Sequence, residues 1–415
     1  MPLVALLGGT LSAEIQLEIA RALAGTADKV AIHPALMHLA TLGKGDDAAK
    51  ATERLAGFDK KATYGALGTA AKHPEAATRR AAAQALRSLN KPQALTQLAG
   101  ADVTDKDTGE EMLAAIRAIY AGQSLDFVLK GTKSKTAVLQ RSAVATLGDM
   151  VAKKSSKKNR KTIVGALDTL SKDGDPLIRA AAARSYGTMP GADVAENVKT
   201  LTKDKALEVQ RAIAKSLSAY PGKETNVVLL GFAGQPDVVL KSNALASLGA
   251  LEVPTALDAV VTHLNHDDAR VRRAATGALV AIGGKLEAAK RKPMLSFFSE
   301  RVFDKDADVR LKAVKGLELV NDPRTVTALA ALLQDPVLEV RQATLMAMAS
   351  TGDGGAAEPI STGLEDDDVA VRRTAIEALG ALNRKEGKLL LEAYAAKEQD
   401  KALADLARAT LKKIK

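Results

Sequence analysis

Cysteine and tryptophan are absent from this 415-residue chain, and aromatic residues make up only 3% of it. Without cysteine there is no disulfide scaffold, no thiol nucleophile and no Cys-ligated zinc or iron–sulfur site. With so few large side chains, the core must be built from small, closely spaced helices. No run of 18 apolar residues occurs, which excludes a transmembrane helix. The apolar start, Met1–Leu7, is short and lacks the basic flank of a signal peptide, so a cytoplasmic protein is expected. Neither a GxxxxGK[ST] phosphate loop nor a GxSxG elbow is present. What remains is ordinary for a folded protein: 47% apolar and 26% charged residues, with a net charge of +10.

The dominant signal is an internal repeat. An apolar residue is followed by an Arg in most copies, a small residue four places on and an apolar residue eight places on. Good copies begin at Thr78, Leu139, Ile178, Val209, Leu240, Val271, Val309, Val340 and Val371, and weaker ones at Ile15, Glu111 and Leu403. The spacing is 31 residues for most neighbouring copies between 178 and 371. Apolar residues at relative positions 0, +4 and +8 line one face of a helix. The +4 position is Ala82, Ala143, Ala182, Ala244, Ala275, Ala313 or Ala375, small enough to let the next helix approach. An Asp or Asp-Pro precedes the helix, as at Asp175, Asp268, Asp306, Asp335 and Asp368, where a cap and the helix dipole favour a carboxylate. A second apolar helix comes before each turn. Every unit therefore reads as helix A, a short turn and helix B. A lone hairpin cannot bury both apolar faces, whereas stacked hairpins can. The fold class expected is all-α, an α-solenoid. It is read as one elongated domain over 1–415, with divergent repeats or a cap at 1–70, regular repeats at 78–379 and a C-terminal repeat or cap at 380–415.

The pattern Asp306…Val309-Arg310…Ala313…Leu317, repeated at Asp335-Pro336…Val340-Arg341 and Asp368…Val371-Arg372…Ala375…Leu379, resembles that of HEAT-repeat proteins. The short unit is similar to the HEAT-like repeats of the phycobilin-lyase type. The resemblance implies a structural ladder between neighbouring units, formed by Arg79, Arg179, Arg272, Arg310, Arg341 and Arg372 with Asp268, Asp306 and Asp368. It also implies that helix B lines the concave side. Positions +2 and +6 of helix B hold Arg80, Arg141, Arg184, Arg211, Lys215, Arg273, Lys315 and Arg373, so a basic groove is expected there.

Two insertions, near 150–165 and 283–300, break the spacing. The first carries Lys153, Lys154, Lys157, Lys158, Arg160 and Lys161. Residues 130–161 hold ten Lys or Arg against one acid, Asp149, which is nearly all of the chain's excess charge. Such a cluster attracts phosphates or an acidic protein surface, or it only solvates an exposed loop. In the second insertion, Gly283-Gly284 reads as a helix terminator.

Signals for catalysis are weak. His263 and His266, followed by Asp267 and Asp268, have metal-ligand spacing but lie in a repeat turn, so no metal site is assigned. No cofactor and no catalytic residue is expected. The function expected is a non-catalytic scaffold that binds another protein along its concave or edge surface. The alternative is nucleic-acid binding through the basic groove and the Lys-rich segment. A metal-dependent or DNA-modifying enzyme stands third.

Overall fold

In the computed structural model all residues are described except 1–2, 9–10, 27–28, 153–155 and 415. Among the described residues there are 26 α-helices, six short 3-10 segments and no strand. The chain divides into two compact units, residues 1–213 and 214–415.

Within each unit, helices alternate between two layers. In the first unit the helices Gly45–Leu55, Ala76–Leu89, Gly109–Ala121, Ala137–Ala152 and Pro176–Gly187 each pack on the next member of that series. In the second unit the corresponding series is Val238–Ala250, Ala269–Lys285, Ala307–Val320, Leu338–Ser350, Val369–Leu382 and Lys401–Leu411. These are the B helices of the repeat, and the intervening shorter helices are the A layer. The +4 alanines face inward: Ala82, Ala143, Ala182, Ala244, Ala275, Ala313 and Ala375 are fully buried. Tyr186, which takes the apolar +8 place, is fully buried as well.

Close approach between B helices is set at other positions than the +4 alanine. A Cβ on Gly148 would stand 2.7 Å from the Ser185 Cα, and one on Gly249 would stand 2.7 Å from the Ala278 Cα. Both contacts join position +9 of one repeat to position +7 of the next. Ser185 Oγ donates to the Val144 carbonyl at 2.8 Å, and Ser247 Oγ donates to the Ala214 carbonyl at 2.7 Å in the same relation. These contacts fix the register of neighbouring helices to the residue.

Helix ends follow local chemistry. Asp175, Asp237, Asp268, Asp306, Asp368 and Asp400 cap helix N-termini through backbone N–H groups two or three residues on. Asn90, Asn321 and Asn383 end helices in the left-handed conformation, with φ of 48°, 48° and 50°. Gly283 and Gly284, in contrast, lie inside the helix Ala269–Lys285 and terminate nothing. A Cβ on Gly283 would stand 2.9 Å from Met294 Cε, so that glycine serves packing.

The insertions are helical. The second lengthens a B helix to 17 residues and adds the short helix Ala288–Arg291. In the first, Ser156 caps the 14-residue helix Lys157–Leu170. Lys157, Lys158, Arg160 and Lys161 therefore stand on an A helix instead of a loop. Lys153 and Lys154 lie outside the described residues.

Candidate functional site

The first residue inside each apolar repeat position, the Arg at +1, makes one recurring arrangement. Arg310 Nη1 donates to the carbonyls of Asp304 and Lys305 in its own turn, at 2.8 and 3.3 Å. Its Nε and Nη2 reach the next repeat and grip Asp335 at 2.5 and 2.8 Å. Arg272 holds Asp304, Arg341 holds Asp366 and, in the first unit, Arg179 holds Asp204 in the same way, while Arg79 reaches Asp105 through Nη2 alone and turns its Nε to Thr108 Oγ1. Arg372 donates to the carbonyls of Asp366 and Asp367. The carboxylates involved are not the capping ones. Asp268, Asp306 and Asp368 cap their own helices, and the rung aspartate stands two residues earlier. Its Oδ1 accepts the N–H of the residue two places on, as from Val337 to Asp335 at 2.9 Å, which leaves Oδ2 to complete the guanidinium fork. Asp335 likewise belongs to the ladder, and it does not cap the helix Leu338–Ser350. Burial pushes the Asp304, Asp335 and Asp366 carboxyls up most, and the arginine bonds, a backbone N–H bond and the arginine charges together more than reverse it, so all three sit below the usual carboxylate range. The signal that finds these residues is an Asp six places before the Arg.

The +2/+6 positions divide into paired and unpaired cations. Arg80 meets Glu111 at 3.1 Å, and Arg273 meets Asp306 and Asp308 at 3.0 and 3.2 Å. Arg211 is half-buried. Lys215, Lys315 and Arg373 are exposed, with no ion pair among the described residues. Arg141 donates only to the backbone, from Nε to the Ala137 carbonyl at 3.1 Å. Arg184 is also exposed, and its neighbouring charges are Arg117 and Arg141. Sequence reasoning missed Arg117, which occupies +6 of the weak repeat starting at Glu111.

The Lys-rich segment is split by the fold. Arg160 is bidentate to Asp193 at 2.8 and 2.7 Å and also donates to the Met189 carbonyl at 3.1 Å, which makes it a structural tie. Lys157, Lys158 and Lys161 remain exposed.

His266 Nδ1 accepts the Asp268 N–H at 3.0 Å, so this histidine takes the position that the rung aspartate holds elsewhere. Lys241 stands where the preceding repeat would supply an arginine, and no rung forms between them. Burial, then Lys241 and His266, hold His263 below its ordinary value. Among the described residues no group of three or more His, Cys, Asp or Glu could hold a metal ion. No helix among them is long and apolar enough to cross a membrane.

In the second unit, the B helices Val238–Ala250 and Ala269–Lys285 leave a groove of about 640 Å³ between them. Its floor is made of small residues, among them Ala246, Gly249, Ala250, Ala274, Gly277 and Ala281. Ser242, Asn243, Arg270, Arg273 and Lys312 supply its polar edge. The floor follows from the repeat: +6 and +10 are small in both helices, so a trough runs between the two backbones.

The two-layer stack of helical hairpins with an Arg–Asp ladder is that of a HEAT-repeat protein, and the model of HEAT repeats matches residues 226–296, 295–360 and 338–412. This chain is a HEAT-repeat protein, with the matched segments all in the second unit. Yeast importin-beta (Kap95p) superposes with a TM-score of 0.52 at 13% identity, over 97% of this chain and 67% of that one. YibA of E. coli gives 0.46 at 19% identity, over 64% and 95%. Kap95p in a structure with RanGDP gives 0.48 at 13%, over 99% and 62%. A search of curated protein sequences finds no match. None of these similarities extends to the narrower phycobilin-lyase type.

Proposed function

We propose that the chain is a non-catalytic scaffold whose second unit holds a segment of a partner protein in the groove between Val238–Ala250 and Ala269–Lys285. The observation that carries this reading is the groove itself: small residues floor it, and donors and cations edge it. A trough of that form accepts a helix or extended segment whose larger side chains fill it, while the edge groups bond its polar atoms. HEAT-repeat folds are typically used for protein binding, which agrees with the reading. Two edge cations are already balanced, Arg270 by Asp268 and Arg273 by Asp306 and Asp308. That balance favours a protein over a nucleic-acid backbone, which needs a run of free cations.

The test is capture of partners by the tagged chain, with and without nuclease, beside the variant Ala246→Trp/Ala281→Trp. Both positions lie on the accessible side of their helices, so the indoles fill the groove without entering the core. The expected result is a discrete set of proteins that survives nuclease and is lost in the variant. A set that vanishes with nuclease, or one the variant retains in full, would overturn the proposal.

A further inference from the structure

The first unit contains a group of cations that its own fold leaves unbalanced. The helices Gly109–Ala121, Ala137–Ala152 and Pro176–Gly187 pack in series. The Ser185 bond to Val144 and the Gly148 contact set the register of the last two, and Arg117, Ala145 and Arg184 hold the same position, +6, in three successive repeats of the sequence. Arg141 lies one turn before Ala145 on the same helix face. A methyl group thus stands between three guanidinium groups. Arg117 and Arg184 are exposed and have no hydrogen bond or ion pair among the described residues. Arg184 sits below its ordinary value because surrounding protein displaces its water, and then because Arg117 and Arg141 repel it. Asp149 lies one turn further along the middle helix, but both charges that act on Arg184 are positive. Like charges gathered in this way weaken the folded state. Elsewhere on the same helix series Arg80, at +2, is met by Glu111.

We infer that Arg117, Arg141 and Arg184 form a cradle for an Asp/Glu-rich segment of a partner protein. The inference rests on the scaffold reading above and gives that scaffold a second, chemically distinct point of attachment. Guanidinium forks bind carboxylates in pairs of parallel bonds. The outer two helices are two packing distances apart, about 16–20 Å, which an extended chain covers in about five or six residues. That spread suits several carboxylates on one strand better than one small oxyanion. A lone phosphate site would draw on helix N-terminal N–H groups, and Arg117 and Arg184 lie in the second halves of their helices. Stacked bases need exposed aromatic faces, and the neighbouring Tyr120 and Tyr186 are buried.

The test uses the full chain and a fluorescein-labelled ten-residue polyglutamate peptide, followed by anisotropy. Arg117→Ala/Arg141→Ala/Arg184→Ala is expected to weaken binding by about tenfold or more and to flatten its salt dependence. Lys157→Ala/Lys158→Ala/Lys161→Ala removes the same charge from an exposed helix and is expected to stay within about twofold. Equal losses in both variants, or none in the arginine variant, overturn the cradle. Unlabelled phosphoserine peptide and single-stranded DNA serve as competitors. If either displaces the probe at a tenth of the polyglutamate concentration, the carboxylate assignment is overturned. The melting temperature of the arginine variant should hold or rise as the repulsion is removed. A fall would assign the arginines to the fold and overturn the proposal. The groove variant separates the two readings: if it loses its partners while the arginine variant keeps both partner and peptide, the cradle fails and the scaffold stands. If the arginine variant alone loses the peptide and the groove variant keeps every partner, the cradle stands and the groove fails.

Discussion

Replacing Asp335 by alanine removes one rung of the ladder at its most buried point. The Asp335 side chain is 2% exposed and that of Arg310 is 11%. The substitution deletes two charge-assisted bonds from Arg310 and the bond from the Val337 N–H. Arg310 keeps only the carbonyls of its own turn, so a guanidinium is left nearly dry without its counter-charge. Truncating one partner of such a pair costs about 3–5 kcal/mol. For a unit of this size each kcal/mol lowers the melting temperature by about 2–4 °C, so a fall of about 6–20 °C is expected by calorimetry. Hydrogen exchange should lose protection first in Ala307–Val320 and Leu338–Ser350, because repeats couple to their nearest neighbours. Glu365→Ala is the control. It removes an exposed pair with Lys397 at 3.7 Å and should cost less than about 1 kcal/mol. Arg310→Met with Asp335→Leu should recover most of the loss, since both charges go together. If Asp335→Ala costs no more than Glu365→Ala, the ladder does not hold the repeats together and the reasoning fails.

Acid should act on the same rungs. Asp304, Asp335 and Asp366 sit below their unfolded value of about 3.9. Their contribution is therefore complete above that pH and is lost as pH falls through the lower folded values. His33, His38 and His263 are held below 6.5, so the unfolded chain takes up protons first and stability begins to decline below about pH 6.5. Thermal melts from pH 8 to 3 should show both steps, and Asp335→Asn should shrink only the lower one. Gly148→Ala forces a methyl group against the Ser185 backbone and should cost about 1–3 kcal/mol in chemical denaturation. Gly165→Ala meets nothing within 4 Å and should stabilise its helix by about 0.5–1 kcal/mol. Arg160→Ala loses the fork to Asp193 and should cost about 1 kcal/mol by the same measurement, reflecting its partly exposed site.

The repeat was legible because small and apolar residues recur at fixed positions, and periodicity alone places Ala82, Ala275 and Ala375 in the core. The ladder was half legible. The arginines stand out at +1, but several turns offer more than one aspartate, and only the turn geometry decides that Asp304 crosses to Arg272 while Asp306 caps. The Lys-rich segment misled for a related reason. Its composition reads as a loop, yet Ser156 starts a helix there, and Arg160 is drawn off to Asp193, 33 residues away. Arg117 was hidden because its repeat begins with Glu111 in an apolar place, which blurs the register from which +6 is counted. The groove was not legible as a site, since small residues at +6 and +10 read simply as tolerated positions until two neighbouring helices supply its walls.

The pair Lys241 and His266 has a mechanical consequence. The rungs Arg272–Asp304, Arg310–Asp335 and Arg341–Asp366 behave as stiff links in series, and extension of a series is taken up where it is softest. Within the second unit the joint between Val238–Ala250 and Ala269–Lys285 is one that has helix packing and the Lys285–Glu252 pair but no Arg–Asp rung. The 640 Å³ groove crosses the same joint. A segment seated there would act as a splint, and the force needed to pull the two helices apart would report its occupancy.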